Sequence, residues 1–421
     1  MGDYRLTTLG ANTELLELPF ELPLAEWPYE LFVHVPRGIS RHVVRFVELA
    51  GVDGGVFAIK EATDRFVLRE HQLLRGLAEH SVPVVEAYGT VTERVDHHGE
   101  ELGGLLFTRH LQFSQPYRSL FTGRSLPHLR DRLMDALASL FVQLHLAGFY
   151  WGDCSLSNTL FLRDAGALAA YLVDAETGEM HTTLSPGQRD QDLEIAVLNI
   201  AGELLDLQAA GVLDGNVDAA ETAASLRSCY DSLWTELTGE LVVPSGENFR
   251  INAQLRRLNE LGFDVGELTI KTVPDGLRVR FGTQVVEPGH HQRRLFQLTG
   301  LRVQENQARA LLGDLYRFKA KWESGSGETV PDDLAARRWL DEKFYGTVGL
   351  VPPHLRVKLP DAELFHEINE HRWLLSEKNG HDVGRAAAVA SYVGTVLSDL
   401  PDTRVDLAQG PPTEEFTPIF D

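Results

Sequence analysis

An aspartate and an asparagine five positions apart, followed by a second aspartate, are the residues of this sequence best suited to chemistry. Asp153 and Asn158 lie in a polar loop, and Asp174 directly follows the apolar, strand-like end of residues 170–173. A carboxylate can orient an attacking hydroxyl and accept its proton, whereas amide and carboxylate oxygens are ligands that Mg²⁺ prefers. The spacing therefore indicates phosphoryl transfer, with Asp153 as catalytic base and Asn158 and Asp174 as metal ligands.

A lysine and a glutamate upstream supply the other half of such a site. Lys60 ends an apolar run at residues 55–60, and Glu70 lies ten positions later, where apolar residues recur at helical spacing. A lysine that is held by a glutamate can bind the α- and β-phosphates of ATP as a point charge. Such a pair can also be a surface ion pair that contributes little, but the apolar run before Lys60 argues against that alternative.

Two weaker signals complete a predicted nucleotide site. Gly38 lies in a turn between the strand-like residues 31–35 and 43–47 and is predicted to cover the phosphates, although a strong phosphate-binding loop has several glycines. Residues 107–111 are predicted to be a hinge, in which Phe107 and Arg109 meet the adenine edge through backbone groups. ATP and Mg²⁺ are thus the expected cofactors.

Several of the polar residues have a second interpretation. Asp153 and Asn158 alone also fit a turn followed by a helix cap. Asp190 and Asp192 fit either caps of the helix that begins there or a carboxylate that braces the catalytic loop from below. Residues 290–294 contain two histidines and two arginines, which fit either surface packing or a site for an anion or a partner.

The elements that must position these residues change in type along the chain. Strand-like runs with one helix come first, and helices with a short strand pair follow. The predicted strands are 31–35, 43–47, 55–60, 82–85, 105–108 and 170–173, and the predicted helices are 65–77, 129–146, 192–207 and 219–237. This order predicts an α+β fold in two lobes.

A glycine-, proline- and serine-containing segment at residues 238–248 predicts a domain boundary. We expect an N-terminal arm at 1–27, a main domain at 28–240 and a smaller, mainly helical α+β domain at 241–421. In this last domain we predict a hairpin and five helices. The hairpin pairs 268–273 with 277–281, and the helices are 252–261, 305–322, 332–344, 361–377 and 383–397.

Composition limits the remaining classes of function. The chain has 421 residues, a formal net charge of −22 and 2 cysteines. An acidic excess disfavours charge-driven binding to nucleic acid or anionic membranes, and so few cysteines exclude a disulfide framework or a cysteine-based zinc cluster. Neither a signal-peptide pattern nor an apolar stretch of about 18 residues is found. We therefore expect a cytoplasmic protein with no membrane span and no nucleic-acid partner.

These features together resemble the lipopolysaccharide kinase family, the heptose and Kdo kinases of the protein-kinase-like superfamily. The resemblance covers about residues 28–235, and the rest of the chain resembles an uncharacterised domain that accompanies such kinase domains in actinobacterial proteins. Gly152-Asp153 is also similar to the Gly-Asp pair of aminoglycoside phosphotransferases and choline kinases. The resemblance rests on Ala58-Ile59-Lys60, Leu68-Arg69-Glu70, Val82-Pro83-Val84, Gly148-Phe149-Tyr150-Trp151-Gly152-Asp153, Asn158 and Leu172-Val173-Asp174.

The resemblance implies a bilobal protein-kinase-like fold, a Mg²⁺- and ATP-dependent kinase and a hydroxyl acceptor. The family name suggests a lipopolysaccharide sugar, but actinobacteria do not build that glycolipid, so a sugar, an envelope precursor and a protein side chain all stay open. The sequence departs from the pattern at Asp174-Ala175-Glu176, which lacks the usual glycine, at Trp151, and at residues 154–157, which lack a lysine. These departures favour one alternative, a pseudokinase-like nucleotide-binding scaffold whose C-terminal domain engages a protein partner. A kinase fold can also transfer AMP, although nothing in the sequence points to that activity.

Overall fold

The structure of the chain is a computed structural model. It describes residues 4–10, 12–35, 42–51, 54–122, 129–243, 247, 249–260, 263–265, 268–273, 276–281, 286–400 and 406–407.

The N-terminal lobe is an antiparallel sheet of five strands with one helix packed against it. The strand order is β1-β5-β6-β4-β3, and Lys60 pairs with Val44 on one side and with Leu106 on the other. Because β4 is hydrogen-bonded to a strand on each side, the backbone position of Lys60 is fixed. The elements are β1 (Arg5–Thr8), β2 (Val33–His34), β3 (Val44–Leu49), β4 (Gly55–Ala62), α1 (Asp64–Glu79), β5 (Ala87–Thr92) and β6 (Gly104–Arg109).

The N-terminal segment is an integral part of this lobe. Strand β1 extends the sheet beside β5, and Phe20 and Trp27 lie in the same hydrophobic core as Phe107. Arg94 is fully buried there, and its guanidinium donates to the Phe20 carbonyl at 2.9 Å and to Glu61 at 2.8 Å. Because a buried cation needs acceptors on every side, Arg94 fastens the segment to the sheet.

The second lobe is mainly helical. Helix α3 packs against α5 and against a three-stranded sheet of order β10-β9-β7. Helix α4 begins at a capping box formed by Ser185 and Gln188, with Pro186 in the first turn. The elements are β7 (Gln115–Pro116), α2 (Tyr117–Thr122), α3 (Leu129–Leu146), β8 (Phe149–Tyr150), β9 (Thr159–Asp164), β10 (Ala167–Leu172), β11 (Glu179–Met180), α4 (Pro186–Ala209) and α5 (Ala219–Thr238).

The two lobes are joined by a short ladder that the sequence did not place correctly. A strand was predicted at 82–85, but the strand of the sheet begins at Ala87. Residues 83–85 instead pair with the end of β10: the Val85 N–H donates to the Leu172 carbonyl and the Leu172 N–H donates to the Pro83 carbonyl, both at 3.0 Å. This contact ties the N-terminal lobe to the segment that leads into Asp174.

The remainder of the chain forms a smaller, mainly helical region with a second hydrophobic core around Leu311, Trp339, Phe365 and Tyr392. A π-helical turn at Leu340–Tyr345 follows α9. The elements are β12 (Glu240–Val243), α6 (Phe249–Glu260), β13 (Phe263–Val265), β14 (Leu268–Val273), β15 (Gly276–Phe281), β16 (Val286–Pro288), α7 (His290–Thr299), α8 (Glu305–Ser326), α9 (Asp332–Trp339), α10 (Gly346–Val348), α11 (Pro353–Arg356), α12 (Asp361–Asn379), α13 (Arg385–Thr395) and β17 (Asp406–Leu407).

The architecture is thus a bilobal, protein-kinase-like α+β fold followed by a mainly helical α+β region, as the sequence predicted. The boundary at residue 240 stays a prediction, and Val243 and Ile251, which lie beyond it, pack into the core of the kinase-like lobe. Among the described residues, no helix combines the length and the apolar character that a membrane crossing requires.

Candidate active site

The cleft between the lobes is centred on one lysine and three carboxylates. Lys60, near the end of β4, donates from Nζ to Glu70 Oε2 at 3.0 Å, to Asp174 Oδ2 at 3.1 Å and to Glu176 Oε2 at 2.7 Å. Glu70 comes from α1 and is almost fully buried, whereas Asp174 and Glu176 follow β10 in the other lobe. The structure therefore brings together Lys60, Glu70 and Asp174, which the sequence singled out, and adds Glu176.

The charges in this cluster are unbalanced, because three carboxylates share one ammonium group. Burial disfavours the charged form of Lys60, but the charges of Glu70 and Asp174 outweigh it and raise the pKa of the lysine. For Glu70, burial and the neighbouring Asp174 outweigh the attraction of Lys60 and raise the pKa of the carboxyl to about 7. Near neutral pH the cluster keeps an excess of negative charge, so it favours a further cation.

The loop that carries Asp153 is held from below by a buried aspartate of α4. Asp192 accepts hydrogen bonds from the Trp151 and Gly152 N–H groups at 2.8 Å each, and His145 Nε2 lies 3.2 Å from the same carboxylate. Since Ser185 caps α4, Asp192 lies inside the helix and is not a cap. Of the two interpretations open from the sequence, the brace is correct for Asp192.

Asp190 has a different role. Its carboxylate lies 2.5 Å from Arg227 of α5 in a solvent-exposed ion pair, so it holds two helices together at the surface. It also lies within α4, beyond the cap at Ser185, and is not a cap itself.

Hydrogen bonds fix the positions of Asp153 and Asn158 relative to Asp174. Asn158 donates its amide nitrogen to the Asp153 carbonyl at 3.1 Å, and its own carbonyl accepts from the Val173 N–H at 3.1 Å. Asn199 of α4 donates to the Cys154 carbonyl at 2.9 Å and approaches Asp153 Oδ1 at 3.5 Å. The two predicted metal ligands therefore both lie at the open end of the β9–β10 hairpin, Asn158 before the first strand and Asp174 after the second. The hydrogen bond from the Val173 N–H to the Asn158 carbonyl links the two backbone segments.

Three residues of the site were missed in the sequence. Glu176 accepts a hydrogen bond from Lys60, and Asn199 donates to the loop that carries Asp153. Glu203 accepts from the Leu156 N–H at 2.6 Å and from the Ser157 N–H at 3.1 Å. The helical period offered a signal for two of them. Asp192, Asn199 and Glu203 are spaced by seven and four positions on a largely apolar helix, which places them on one face.

The structure describes two of the three further residues that were predicted to contact the nucleotide. Gly38 lies outside the described residues. Phe107 sits in the middle of β6, between β4 and β5, with its ring in the core. The Arg109 N–H donates to the Glu86 carbonyl at 2.8 Å and the His110 N–H donates to the Val56 carbonyl at 2.8 Å. An adenine contact at Phe107 and Arg109 stays a prediction, and it depends on groups other than these two N–H donors.

The oxygen atoms of the cleft suit a magnesium ion. Asn158 uses its amide nitrogen on Asp153, and within the described part of the chain its Oδ1 accepts no hydrogen bond. Carboxylate oxygens of Glu70, Asp174 and Glu176 lie within 4.8 Å of one another. Hard oxygen donors without thiolate or imidazole in this set fit Mg²⁺ better than zinc.

Comparison with known proteins agrees with the resemblance drawn from the sequence. Residues 59–201 match the lipopolysaccharide kinase (Kdo/WaaP) family, and residues 232–397 match a domain of unknown function, DUF4032. No curated protein gives a significant match. A solved structure with some similarity is "WaaP in complex with acyl carrier protein", at 18% sequence identity, a TM-score of 0.33 and coverage of 55% of this chain and 99% of that chain. The resemblance predicted from the sequence is confirmed: one segment of the chain matches the Kdo/WaaP lipopolysaccharide kinase family, and a second segment matches DUF4032.

Proposed function

We propose that the protein is an ATP- and Mg²⁺-dependent phosphotransferase that acts on a hydroxyl group. The observation that supports this most is the contact of Lys60 with Glu70 in its own lobe and with Asp174 in the other lobe, at 3.0 and 3.1 Å. A lysine held in this way can grip nucleotide phosphates at the mouth of the cleft. The match of residues 59–201 to a kinase family supports the same activity.

In this proposal each residue has one task. Asp153 orients the acceptor hydroxyl and takes its proton, and Asn199 and Asp192 keep its loop in place. Glu70 positions Lys60 on the phosphates. Asn158 and Asp174 would hold the magnesium ion, which neutralises charge on the transferred phosphoryl group.

The acceptor is proposed as a hydroxyl of a sugar, an envelope precursor or a protein. The family of residues 59–201 suggests a sugar. We also propose the division of the chain near residue 240, which the separate hydrophobic cores before and after it support. The boundary at residue 27 stays a prediction, because Phe20 and Trp27 share a core with Phe107.

A second candidate is a pseudokinase-like scaffold that binds nucleotide without transferring phosphate and engages a protein partner through its C-terminal domain. Glu176 favours the scaffold, because this residue stands where kinases have a glycine. Its carboxylate accepts a hydrogen bond from Lys60 Nζ at 2.7 Å. A nucleotide phosphate would have to displace that carboxylate to reach the ammonium group.

Magnesium-dependent nucleotide binding tests what the two candidates share. ATP affinity is measured by calorimetry with and without Mg²⁺ for the wild type, for Asp174→Ala and for Asp190→Ala. We expect Mg²⁺ to tighten ATP binding in the wild type and in Asp190→Ala, whose carboxylate forms only a surface ion pair, and not in Asp174→Ala. Equal Mg²⁺ dependence in all three proteins would contradict the assignment of Asp174. ATP turnover then separates the candidates, since only the enzyme releases or transfers the γ-phosphate.

A further inference from the structure

A cavity of about 630 Å³ lies within the C-terminal region, far along the chain from the residues of the cleft. It opens among α8, α9, the π-helical turn, α12 and α13. Its charged lining consists of six basic and two acidic side chains, although the whole chain carries a net charge of −22. These side chains are Arg317, Lys321, Arg338, Lys343, Arg372, Arg385, Asp314 and Glu342.

Only some of these cations are neutralised. Arg338 pairs with Glu342 at 2.6 Å, and Arg372 donates to Asp382 at 2.8 Å. Lys321 and Lys343 have no ion-pair partner among the residues that the structure describes. The cavity therefore presents positive charge that the protein's own carboxylates leave uncompensated.

Three arginines of the cavity are held in place by local contacts. Arg385 donates to the Glu342 carbonyl at 2.8 Å, and the Arg338 guanidinium lies 4.4 Å from the centre of the Trp322 ring. Arg317 lies 3.4 Å from Asp314. Fixed guanidinium groups lose little conformational freedom when an anion binds, which favours affinity.

The backbone at the cavity is also unusual. Glu342 and Lys343 belong to the π-helical turn at Leu340–Tyr345, which interrupts the helical segment between α9 and α10. Turns of this type are rare and occur frequently at functional sites. Here the wider turn carries Lys343 to the cavity, and Arg385 binds the carbonyl of the residue before it.

We propose that this cavity binds a small anion that carries two phosphoryl groups. Arginine forks and lysine ammonium groups are the side chains that bind phosphate oxygens best, and cations from five elements surround one space large enough for a small ligand. The site shares no residue with the cleft around Lys60, so it stands whether or not the chain transfers phosphate.

Inorganic pyrophosphate, titrated without Mg²⁺ into the full-length chain at low salt, is the probe. All proteins carry Lys60→Met, so that the cleft does not contribute. The test variant is Lys321→Gln with Lys343→Gln, and the control is Lys378→Gln, an exposed lysine of α12 that does not line the cavity. Melting temperatures are measured for each, and Lys321→Gln alone serves if the double variant is unstable.

We expect saturable pyrophosphate binding by the parent protein and the Lys378→Gln control. Loss of two charge-assisted hydrogen bonds should weaken binding by about 10- to 100-fold in the double variant. Absence of binding by the parent protein would overturn the proposal. So would equal affinity in the double variant, or an equal loss in the Lys378→Gln control, because either result would place the anion elsewhere.

Discussion

The cleft and the junction between the kinase-like lobe and the C-terminal region both bury acidic side chains, but they satisfy them differently. In the cleft, the carboxylates of Glu70, Asp174 and Glu176 share the single ammonium group of Lys60, and Glu176 also lies 2.9 Å from His42 Nε2. That leaves an excess of negative charge beside solvent, which a bound cation can neutralise.

At the junction, the acids receive neutral donors from the protein itself. The tip of the β9–β10 hairpin places Asp164 against the first turn of α8, where it accepts from the Asn306 N–H at 3.1 Å and the Gln307 N–H at 2.7 Å. Glu363 of α12 accepts from the Gln307 side chain at 2.6 Å and from the Ala165 N–H at 3.2 Å. An aspartate at a helix N-terminus is stabilised by the exposed N–H groups and by the helix dipole.

The comparison shows that burial and a raised pKa alone do not identify a functional acid. Glu70 and Glu363 are both buried, and the pKa of each is raised to about 7. What distinguishes them is the kind of donor: Glu363 accepts from two neutral groups, whereas Glu70 shares the Lys60 ammonium group with two other acids. We infer that several acids sharing one cation mark the site, whereas neutral donors from neighbouring elements mark the structural contact.

The two regions are linked by the same hairpin. Strand β9 begins directly after Asn158, and β10 ends two residues before Asp174, while the turn between the strands lies in the junction. The C-terminal region therefore supports the hairpin that carries both proposed metal ligands.

Removal of Lys60 should have the largest effect on activity. Lys60→Met removes the ammonium group that the three acids of the cleft share and the proposed phosphate contact, so we expect kcat/KM for ATP to fall by about 10²- to 10³-fold. Steady-state turnover measures this loss. Glu363→Gln, at the junction, should keep wild-type turnover. A similar fall in both variants would contradict the assignment of activity to the cleft rather than to the junction.

Removal of Asp192 should have the largest effect on stability. Asp192→Ala leaves the buried N–H groups of Trp151 and Gly152 and the ring of His145 without their acceptor. We expect a loss of about 3 kcal/mol in the free energy of unfolding, measured in urea. Asp190→Ala on the same helix removes an exposed ion pair and should cost less than about 1 kcal/mol. Equal costs would show that Asp192 is not a structural brace.

The smallest expected effect is a change in how the free energy of unfolding depends on pH, caused by Glu363 at the junction. Burial and the neighbouring Glu367 raise the pKa of Glu363 from 4.5 to about 7. A raised pKa means that the proton stabilises the folded state, so this stabilisation is present below about pH 4.5 and is lost as the pH rises through about 7. Glu363→Gln keeps an oxygen acceptor and should abolish this loss, worth about 1–3 kcal/mol.

Urea unfolding at pH 5 and pH 8 measures the difference. The wild type should lose more stability than Glu363→Gln between the two pH values, and Glu370→Gln, an exposed glutamate of the same helix, should behave as the wild type. Parallel pH profiles for wild type and Glu363→Gln would mean that Glu363 is ionised throughout.

The parts of the site that were predictable from the sequence are those with local patterns. Lys60 lies near the end of a strand, Glu70 lies on the next helix, and Asp174 follows a hairpin, so chain order and the helical and strand periods indicated that they meet. Glu176 was not predictable, because only the fold of the loop after β10 brings its carboxylate to Lys60.

The basic cavity was even less predictable from local sequence patterns. Its cations come from positions spread between 317 and 385, so no short motif marks it. The local cluster at 290–294 was the visible basic signal, but His291 lies 2.5 Å from Glu305 and Arg294 lies 2.6 Å from Asp332. These two residues serve packing between helices, which was one of the two interpretations open from the sequence.

The most direct test of the proposed activity is transfer of label from γ-labelled ATP in the presence of Mg²⁺, with the wild type and Asp153→Ala compared at equal concentration. Asp153→Ala should still bind ATP, since Lys60 and the metal ligands remain. We predict Asp153-dependent release or transfer of the label by the wild type. If the wild type binds ATP but leaves the label on the nucleotide, or if Asp153→Ala turns over at the wild-type rate, the account of the cleft as a phosphotransferase site is contradicted.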